Sequence, residues 1–144
     1  MNIDRGTSIV SEFVRVIGNL QGFSIQRSTI SRNMFHLREP INSLLYIKAR
    51  AEEPLRWGVT ANVIKKLQAQ SIPWAVVLLY VSENTGYILS PGDVNYYTNG
   101  IWAIGADGDY KPSPGSYLTK NKPFHSIEQF IHHLYDLVEY LNRE

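Results

Sequence analysis

The chain contains no cysteine, carries little net charge and has no apolar run long enough to cross a bilayer. The lack of cysteine excludes disulfides, thiolate metal ligands and thiol nucleophiles, and it is typical of a cytosolic protein. The 14 Lys and Arg residues nearly balance the 13 Asp and Glu residues, so a nucleic-acid function would need a local basic surface. The longest apolar run, 72–81, contains Pro73 and is about half as long as a membrane helix. We therefore expect a cytoplasmic protein with no membrane partner.

The remaining composition is that of one ordinary globular domain. A chain of 144 residues is long enough to bury a single hydrophobic core. A hydrophobic content of 44% with 19% charged residues excludes a disordered tail. The segment from Met1 to Arg5 has neither the basic nor the apolar part of a signal peptide. No internal repeat or linker composition divides the sequence, so we predict a single domain over 1–144.

Helical periodicity marks three segments of the chain. Apolar residues at three- and four-residue spacing predict an amphipathic helix over 8–20 and a second one over 126–142. Ser126 and Gln129 have the spacing of a capping box at the start of the last helix. A shorter helix is predicted over 61–70, after a possible cap at Thr60. A helical turn is also expected over 93–97.

Strand patterns occupy the segments between these helices. We predict short strands at 23–27, 34–37, 42–49, 74–81, 87–89 and 101–104, and a long loop over 105–121. The nearly continuous apolar run at 74–81 is typical of a central strand covered on both faces. The order of helices and strands predicts an α/β fold in which helices flank both faces of one mixed β-sheet.

The strand predicted over 42–49 has a lysine, Lys48, next to its last residue. The functional hypotheses depend on how this lysine is interpreted. Alternation places Leu45 and Ile47 on one face, and Leu44, Tyr46 and Lys48 on the other. A lysine at the end of a buried strand must reach water or a partner. One interpretation is a structural lysine that reaches solvent or pairs with a glutamate of the next loop, Glu52 or Glu53. The other is a functional lysine.

The functional interpretation rests on a family resemblance. An opening helix, the stretch Gly22 to Arg27, a strand ending in Lys48, and then a helix and an apolar strand resemble the PD-(D/E)XK nuclease superfamily. The similarity is greatest to small archaeal Holliday junction resolvases and Mrr-like restriction endonucleases, and it covers roughly 6–90. The resemblance implies a restriction-endonuclease-like fold. It also implies a homodimer, which is common in that superfamily.

In that superfamily three acids bind Mg²⁺, and the lysine of an E-x-K motif positions or deprotonates water. Carried over, the resemblance places the first-helix acid on Glu12 and the lysine on Lys48. The E-x-K acid falls on Tyr46, and the second-strand acid falls near His36 or, with a register slip, on Glu39. Tyrosine and histidine replace carboxylate ligands of Mg²⁺ poorly. The sequence therefore departs from the family at its metal ligands.

These observations leave three hypotheses open. The favoured one is a domain with a decayed metal site that binds nucleic acid or serves as a subunit of a nuclease or defence assembly. In it Arg27, Arg32, Lys48 and Arg50 contact phosphate, and no metal is held tightly. The alternative is an active Mg²⁺-dependent DNA nuclease that uses Glu12, Glu39 and Lys48 as catalytic residues.

The third hypothesis is a protein-interaction module, because Tyr and Trp dominate the energetics of many interfaces. Its docking surface would consist of Trp57, Tyr96, Tyr97, Trp102, Tyr110 and Tyr117. The loop at 105–121 and the residue that follows it interleave aromatic and basic side chains (Tyr110, Lys111, Tyr117, Lys120 and Lys122). Such a mixture suits phosphate contacts and base stacking. The role of the loop at 105–121 is left open.

Overall fold

The computed structural model describes residues 5–52, 56–113 and 122–142. These residues form four helices and eight strands. In chain order they are α1 (Arg5–Gly18), β1 (Ser24–Arg27), β2 (Met34–Glu39), β3 (Ser43–Arg50), β4 (Val59–Thr60), α2 (Ala61–Gln68), β5 (Trp74–Tyr80), β6 (Gly86–Leu89), α3 (Pro91–Thr98), β7 (Asp109–Tyr110), β8 (Lys122–Phe124) and α4 (Ile127–Asn142).

Six of the strands form one mixed sheet in the order β1-β2-β3-β5-β6-β8. Its central pair, β3 and β5, is parallel, and every other neighbouring pair is antiparallel. The parallel pair requires a crossover, which α2 supplies. Strands β4 and β7 form a separate two-stranded sheet. The predicted mixed α/β class is confirmed, and within the described residues no helix is long and apolar enough to cross a membrane.

One face of the sheet packs against α1 and α4. Leu45 and Ile47 of β3 lie in the same buried cluster as Phe13 of α1 and Phe130 of α4. The two phenylalanine rings meet edge to face, with centroids 5.0 Å apart and an interplanar angle of 85°. This is a favourable arrangement for aromatic rings. Leu45 and Ile47 therefore share one face of β3, as the alternation predicts.

The opposite face of the sheet packs against α2 and α3. Leu44 and Tyr46 of β3 share a second buried cluster with Leu67 of α2 and Val94 of α3. The alternation predicted for β3 is thus correct on both sides. Because helices cover both faces, β5 can be apolar along its whole length, and six of its seven residues are buried.

Side-chain caps explain where α3 and α4 begin. The Ser90 hydroxyl accepts the Asp93 N–H at 3.0 Å, and the Asp93 carboxylate accepts the Ser90 N–H at 3.0 Å. At α4, the Ser126 hydroxyl accepts the Gln129 N–H at 3.1 Å, as the sequence predicts. The side-chain amide oxygen of Gln129 (Oε1) instead accepts the backbone N–H of His125 at 2.8 Å. The return bond of the predicted capping box is therefore displaced by one residue.

Several local predictions differ from the structure, and the two-residue strands β4 and β7 were not predicted. The segment 101–104 is not a strand, because Ile104 makes only an isolated bridge to Tyr110. The sequence also missed β8, whose three residues pair with β6 at the edge of the sheet. The imidazole of His133 on α4 donates from Nε2 to the carbonyl oxygen of Pro123 in β8 at 3.0 Å. This bond ties the last helix to the edge strand.

Candidate nucleic-acid interface

The predicted phosphate-binding residues lie at one edge of the main sheet. Strands β1, β3 and β5 run in the same direction, so their carboxyl ends share one edge. Arg27 ends β1, Lys48 and Arg50 lie at the end of β3, and Arg32 is in the β1–β2 connection at the same edge. We call these four residues the carboxyl edge. In open α/β sheets ligands commonly bind outside the carboxyl ends of the strands.

The carboxyl edge presents its charges on both faces of the sheet. Arg27 pairs across the strands with Phe35, and its guanidinium carbon lies 5.5 Å from the centre of that ring, on the face that packs against α1. Lys48 follows Tyr46 by two residues, so strand alternation assigns it to the opposite face, and at the end of β3 it also lines a crevice with residues of α1. The positive charge borders the edge on either side and does not form one flat patch.

Lys48 is half-buried at a small crevice of about 80 Å³ between β3 and the start of α1. Polar groups of Thr7 and Asn33 line the crevice beside it. The structural interpretation of Lys48 invoked an ion pair with Glu52 or Glu53. The Glu52 carboxylate pairs with Arg5 instead, at 2.9 Å between Nη1 and Oε1, and Glu53 lies outside the described residues.

Arg50 also contacts the loop that follows β3. Its Nε donates to the backbone carbonyl of Glu52 at 3.2 Å. This bond uses the backbone carbonyl of Glu52 and not its carboxylate. The side chains of Arg27, Arg32 and Arg50 are all exposed. The edge is therefore locally basic although the whole chain carries a net charge of only +1.

The position to which the family resemblance assigns the E-x-K acid is closed by core packing. Tyr46 is 2% exposed, and its cross-strand neighbour Met34 is 1% exposed. The Tyr46 hydroxyl accepts the backbone N–H of Thr60 at 3.3 Å. Burial raises the pKa of Tyr46 above its ordinary value, so the phenol is neutral at physiological pH. Neither side chain of this facing pair supplies a carboxylate.

The structure does not bring Glu39 or His36 to Lys48. Met34 pairs with Tyr46, so β2 leads away from Lys48 as its residue numbers rise. Lys48 and Glu39 are separated by about seven residues measured along the paired strands, which corresponds to roughly 23 Å. His36 lies between them, about four residues from Lys48 in the same register. Glu39 is too far away to share a metal ion with Lys48.

Glu12 belongs to a different part of the surface. Its carboxylate accepts from Arg15 on the same helix, at 2.9 Å between Nε and Oε2. The hydrogen bond from Arg15 lowers the pKa of Glu12. Thr7, which lines the Lys48 crevice, precedes Glu12 by five residues, or about 140° around the helix. Within the described ranges, no three His, Asp or Glu side chains converge as a metal-binding group.

Three of the residues predicted for the aromatic docking surface are buried. Trp57, Tyr97 and Trp102 are 2%, 4% and 5% exposed and belong to the second buried cluster. The Trp57 indole N–H donates to the Leu79 carbonyl at 2.7 Å. Tyr97 and Trp102 stack with centroids 5.2 Å apart and an interplanar angle of 7°. These rings stabilise the core, and Tyr96 is the fully exposed member of the described set, at 64%.

The loop predicted over 105–121 is partly structured. Tyr110 is half-buried and lies in β7, which pairs with β4. Lys111 forms an ion pair with Asp107, at 2.7 Å between Nζ and Oδ2. Tyr117 and Lys120 lie outside the described residues, and nothing is described of the Lys122 side chain.

A polar groove near the carboxyl edge was missed by the sequence reasoning. It has a volume of about 300 Å³ and is lined by Gln26, Arg27, Ser28, Thr29, Ile30, His36, Leu44, Gln70 and Ile72. A signal for it was present in the sequence. Gln26 and His36 alternate with the apolar residues Ile25 and Leu37, which indicates a polar face on the two neighbouring strands.

Comparisons with known proteins give no independent identification. No protein-family model matches the chain, and no curated protein shows significant similarity to it. The function must therefore be argued from the geometry of the carboxyl edge, the closed Tyr46 position and the polar groove.

Proposed function

We propose that this chain is a nucleic-acid-binding domain of the restriction-endonuclease-like type with a decayed metal site. It acts alone or as a subunit of a nuclease or defence assembly. The order α1-β1-β2-β3-β4-α2-β5, with β3 parallel to β5, supports the proposal, because apart from the two-residue β4 it is the element order on which the family resemblance rests. One observation carries the proposal. The carboxyl edge keeps Lys48 and three arginines, while the acid position next to them is a buried tyrosine.

This arrangement suits phosphate binding without a metal ion. Lysine and arginine bind phosphate oxygens through charge-assisted hydrogen bonds, and hydroxyl and amide groups add further contacts. Thr7 and Asn33 supply such groups at the Lys48 crevice. Glu52, the acid found in contact with this edge, is paired with Arg5. Its charge therefore repels an approaching phosphate less than an unpaired carboxylate would.

Salt dependence of binding tests this proposal. Fluorescence anisotropy of a labelled DNA duplex would be measured between about 50 and 200 mM salt. If the four cations of the carboxyl edge contact about four phosphates, the logarithm of affinity falls with the logarithm of salt with a slope near roughly −3.6, a loss of about 100-fold. Lys48→Ala should reduce this slope by about 0.9.

Arg38→Ala is the matched control. Arg38 is exposed and lies near the end of β2 that is remote from Lys48. Arg38→Ala therefore removes one positive charge, as Lys48→Ala does, but at the opposite end of the sheet. Its affinity and salt slope should match those of the wild type. Binding that does not respond to salt, or an equal effect of Arg38→Ala and Lys48→Ala, would contradict the assignment.

Incubation of the same DNA with Mg²⁺ or Mn²⁺ separates binding from cleavage. We expect no metal-dependent cleavage, because Tyr46 and Met34 occupy the facing positions beside Lys48. Metal-dependent cleavage that is lost in Lys48→Ala would favour the active nuclease. If no nucleic acid binds, the protein-interaction hypothesis gains support. Light scattering at the same concentrations tests the homodimer that the resemblance implies.

A further inference from the structure

The polar groove lies on a part of the sheet that the helices leave open. Gln26 pairs with His36, and His36 pairs with Leu44, so the three residues form one row across β1, β2 and β3. Gln26 is exposed, His36 is half-buried, and Leu44 is 2% exposed. The row therefore changes from a polar rim to an apolar floor. The β1–β2 connection and the segment after α2 line the groove as well.

Hydrogen bonds around the groove fix which of its polar atoms can bind a ligand. The Ser28 hydroxyl accepts a backbone N–H of its own turn at 3.1 Å, which leaves its O–H as a donor. The Gln70 amide nitrogen donates to a backbone carbonyl of α2 at 3.0 Å, which leaves Oε1 as an acceptor. His36 Nε2 bonds to the side-chain oxygen of Asn42, so in the tautomer that donates this bond Nδ1 is an acceptor.

The apolar part of the groove suits a flat ring. Ile30 and Ile72 are half-buried and pack against the second buried cluster, to which Leu44 belongs. Uncharged donors and acceptors at the rim and aliphatic contacts inside match the edge and the faces of a nucleobase. The volume of about 300 Å³ is at the lower end of small-molecule sites and leaves room for one base.

We infer that this groove binds one unpaired nucleobase of a strand whose phosphates contact the carboxyl edge. Arg27 is common to the two features: it lines the groove, while its guanidinium lies over Phe35 on the α1 face at the end of β1. The inference rests on the proposed function and deepens it. It makes single-stranded or locally unpaired nucleic acid the preferred ligand, because a base within an intact duplex must first leave the stack.

Anisotropy with three labelled probes at one low salt concentration tests this inference. The probes are a single strand, the same strand with abasic sugars at its centre, and the perfect duplex. We expect the intact single strand to bind roughly tenfold more tightly than the abasic strand. Gln26→Ala combined with Gln70→Ala should remove that difference and leave binding of the duplex unchanged. Circular dichroism checks that the variant is folded.

Gln21→Ala is the matched control, because Gln21 is an exposed glutamine outside the groove. It should retain the full preference for the intact strand. Equal binding of intact and abasic strands would overturn the inference and leave the proposed function standing, provided that binding weakens with salt. No salt-dependent binding to any probe would overturn both. Competition by adenosine or cytidine monophosphate at the concentration of the strand would assign the groove to free nucleotides and overturn the strand assignment.

Discussion

Replacing Tyr46 with glutamate tests whether the acid position beside Lys48 is closed. The change recreates an E-x-K pattern in the sequence. In the structure, however, Tyr46 is 2% exposed and faces Met34, which is 1% exposed. A carboxylate at this position would lie in apolar surroundings, where the effective cost of burying an unpaired ion is several kcal/mol. We therefore expect Tyr46→Glu to destabilise the fold and to produce no nuclease.

The magnitude can be worked out in two steps. Tyr46→Phe removes the acceptor of the Thr60 N–H, and since that bond is long, at 3.3 Å, the loss is about 1 kcal/mol. Tyr46→Glu loses the same bond and also most of the ring contacts, which adds roughly 3 kcal/mol. The buried charge adds to that sum. The total loss of unfolding free energy at neutral pH should exceed about 4 kcal/mol.

The charge contribution has a distinct pH dependence. Burial would raise the pKa of the carboxyl group introduced by Tyr46→Glu above its unfolded value of about 4.3. The core accommodates the protonated form, so the Tyr46→Glu variant loses stability as the pH rises from about 4.3 to the raised pKa of the folded state. Urea unfolding followed by tryptophan fluorescence at about pH 5 and about pH 8 measures this difference. A Tyr46→Glu variant as stable as the wild type at the higher pH would refute the reasoning, and so would Mg²⁺-dependent cleavage.

Two further predictions concern the same sheet. A β-carbon at Gly86 would lie 2.2 Å from the Leu78 carbonyl oxygen, so Gly86→Ala should lower the unfolding free energy measured in urea by about 3 kcal/mol or more. In the control Gly92→Ala the nearest contact is at 3.8 Å, and the unfolding free energy should not change. Equal urea midpoints for the two variants would contradict the clash. Burial raises the pKa values of Tyr46 and Tyr87, so both should ionise after the exposed tyrosines in an alkaline absorbance titration. The stability that each neutral phenol contributes is present below about pH 10 and is lost as the pH rises through the folded pKa; Tyr46→Phe should remove one late-ionising group, and an unchanged titration would contradict that assignment.

Local periodicity explains why much of the fold could be predicted. The alternation in β3 depends only on neighbouring residues, and it correctly separated Leu45 and Ile47, which lie on the α1 side, from Leu44 and Tyr46, which lie on the α2 side. The apolar run of β5 indicated a strand covered on both faces because helices on either side bury every position. Helices α1 and α4 were visible for the same reason, since a single buried stripe repeats along each.

Long-range pairing explains what the sequence did not show. Strand register sets the distance between Glu39 and Lys48, and nothing in either segment specifies that Met34 pairs with Tyr46. The three-residue β8 has no pattern of its own and is a strand only because β6 is beside it. The aromatic residues were placed on a surface from composition alone. Trp57 and Trp102 are buried because they meet segments distant in the chain.

The bond between His133 and Pro123 affects how this protein can associate with other copies. Proline has no N–H, and the Pro123 carbonyl is already occupied by the imidazole. The middle residue of β8 therefore offers an incoming strand neither a donor nor an open acceptor, a known protection against edge-to-edge aggregation. At the other end of the sheet, β1 has only four residues, with an irregular register between Ser24 and Ile25. Within the main sheet as described, strand exchange or amyloid-like growth would have to start from the short β1 edge, because Pro123 in β8 has no N–H and its carbonyl already accepts a hydrogen bond.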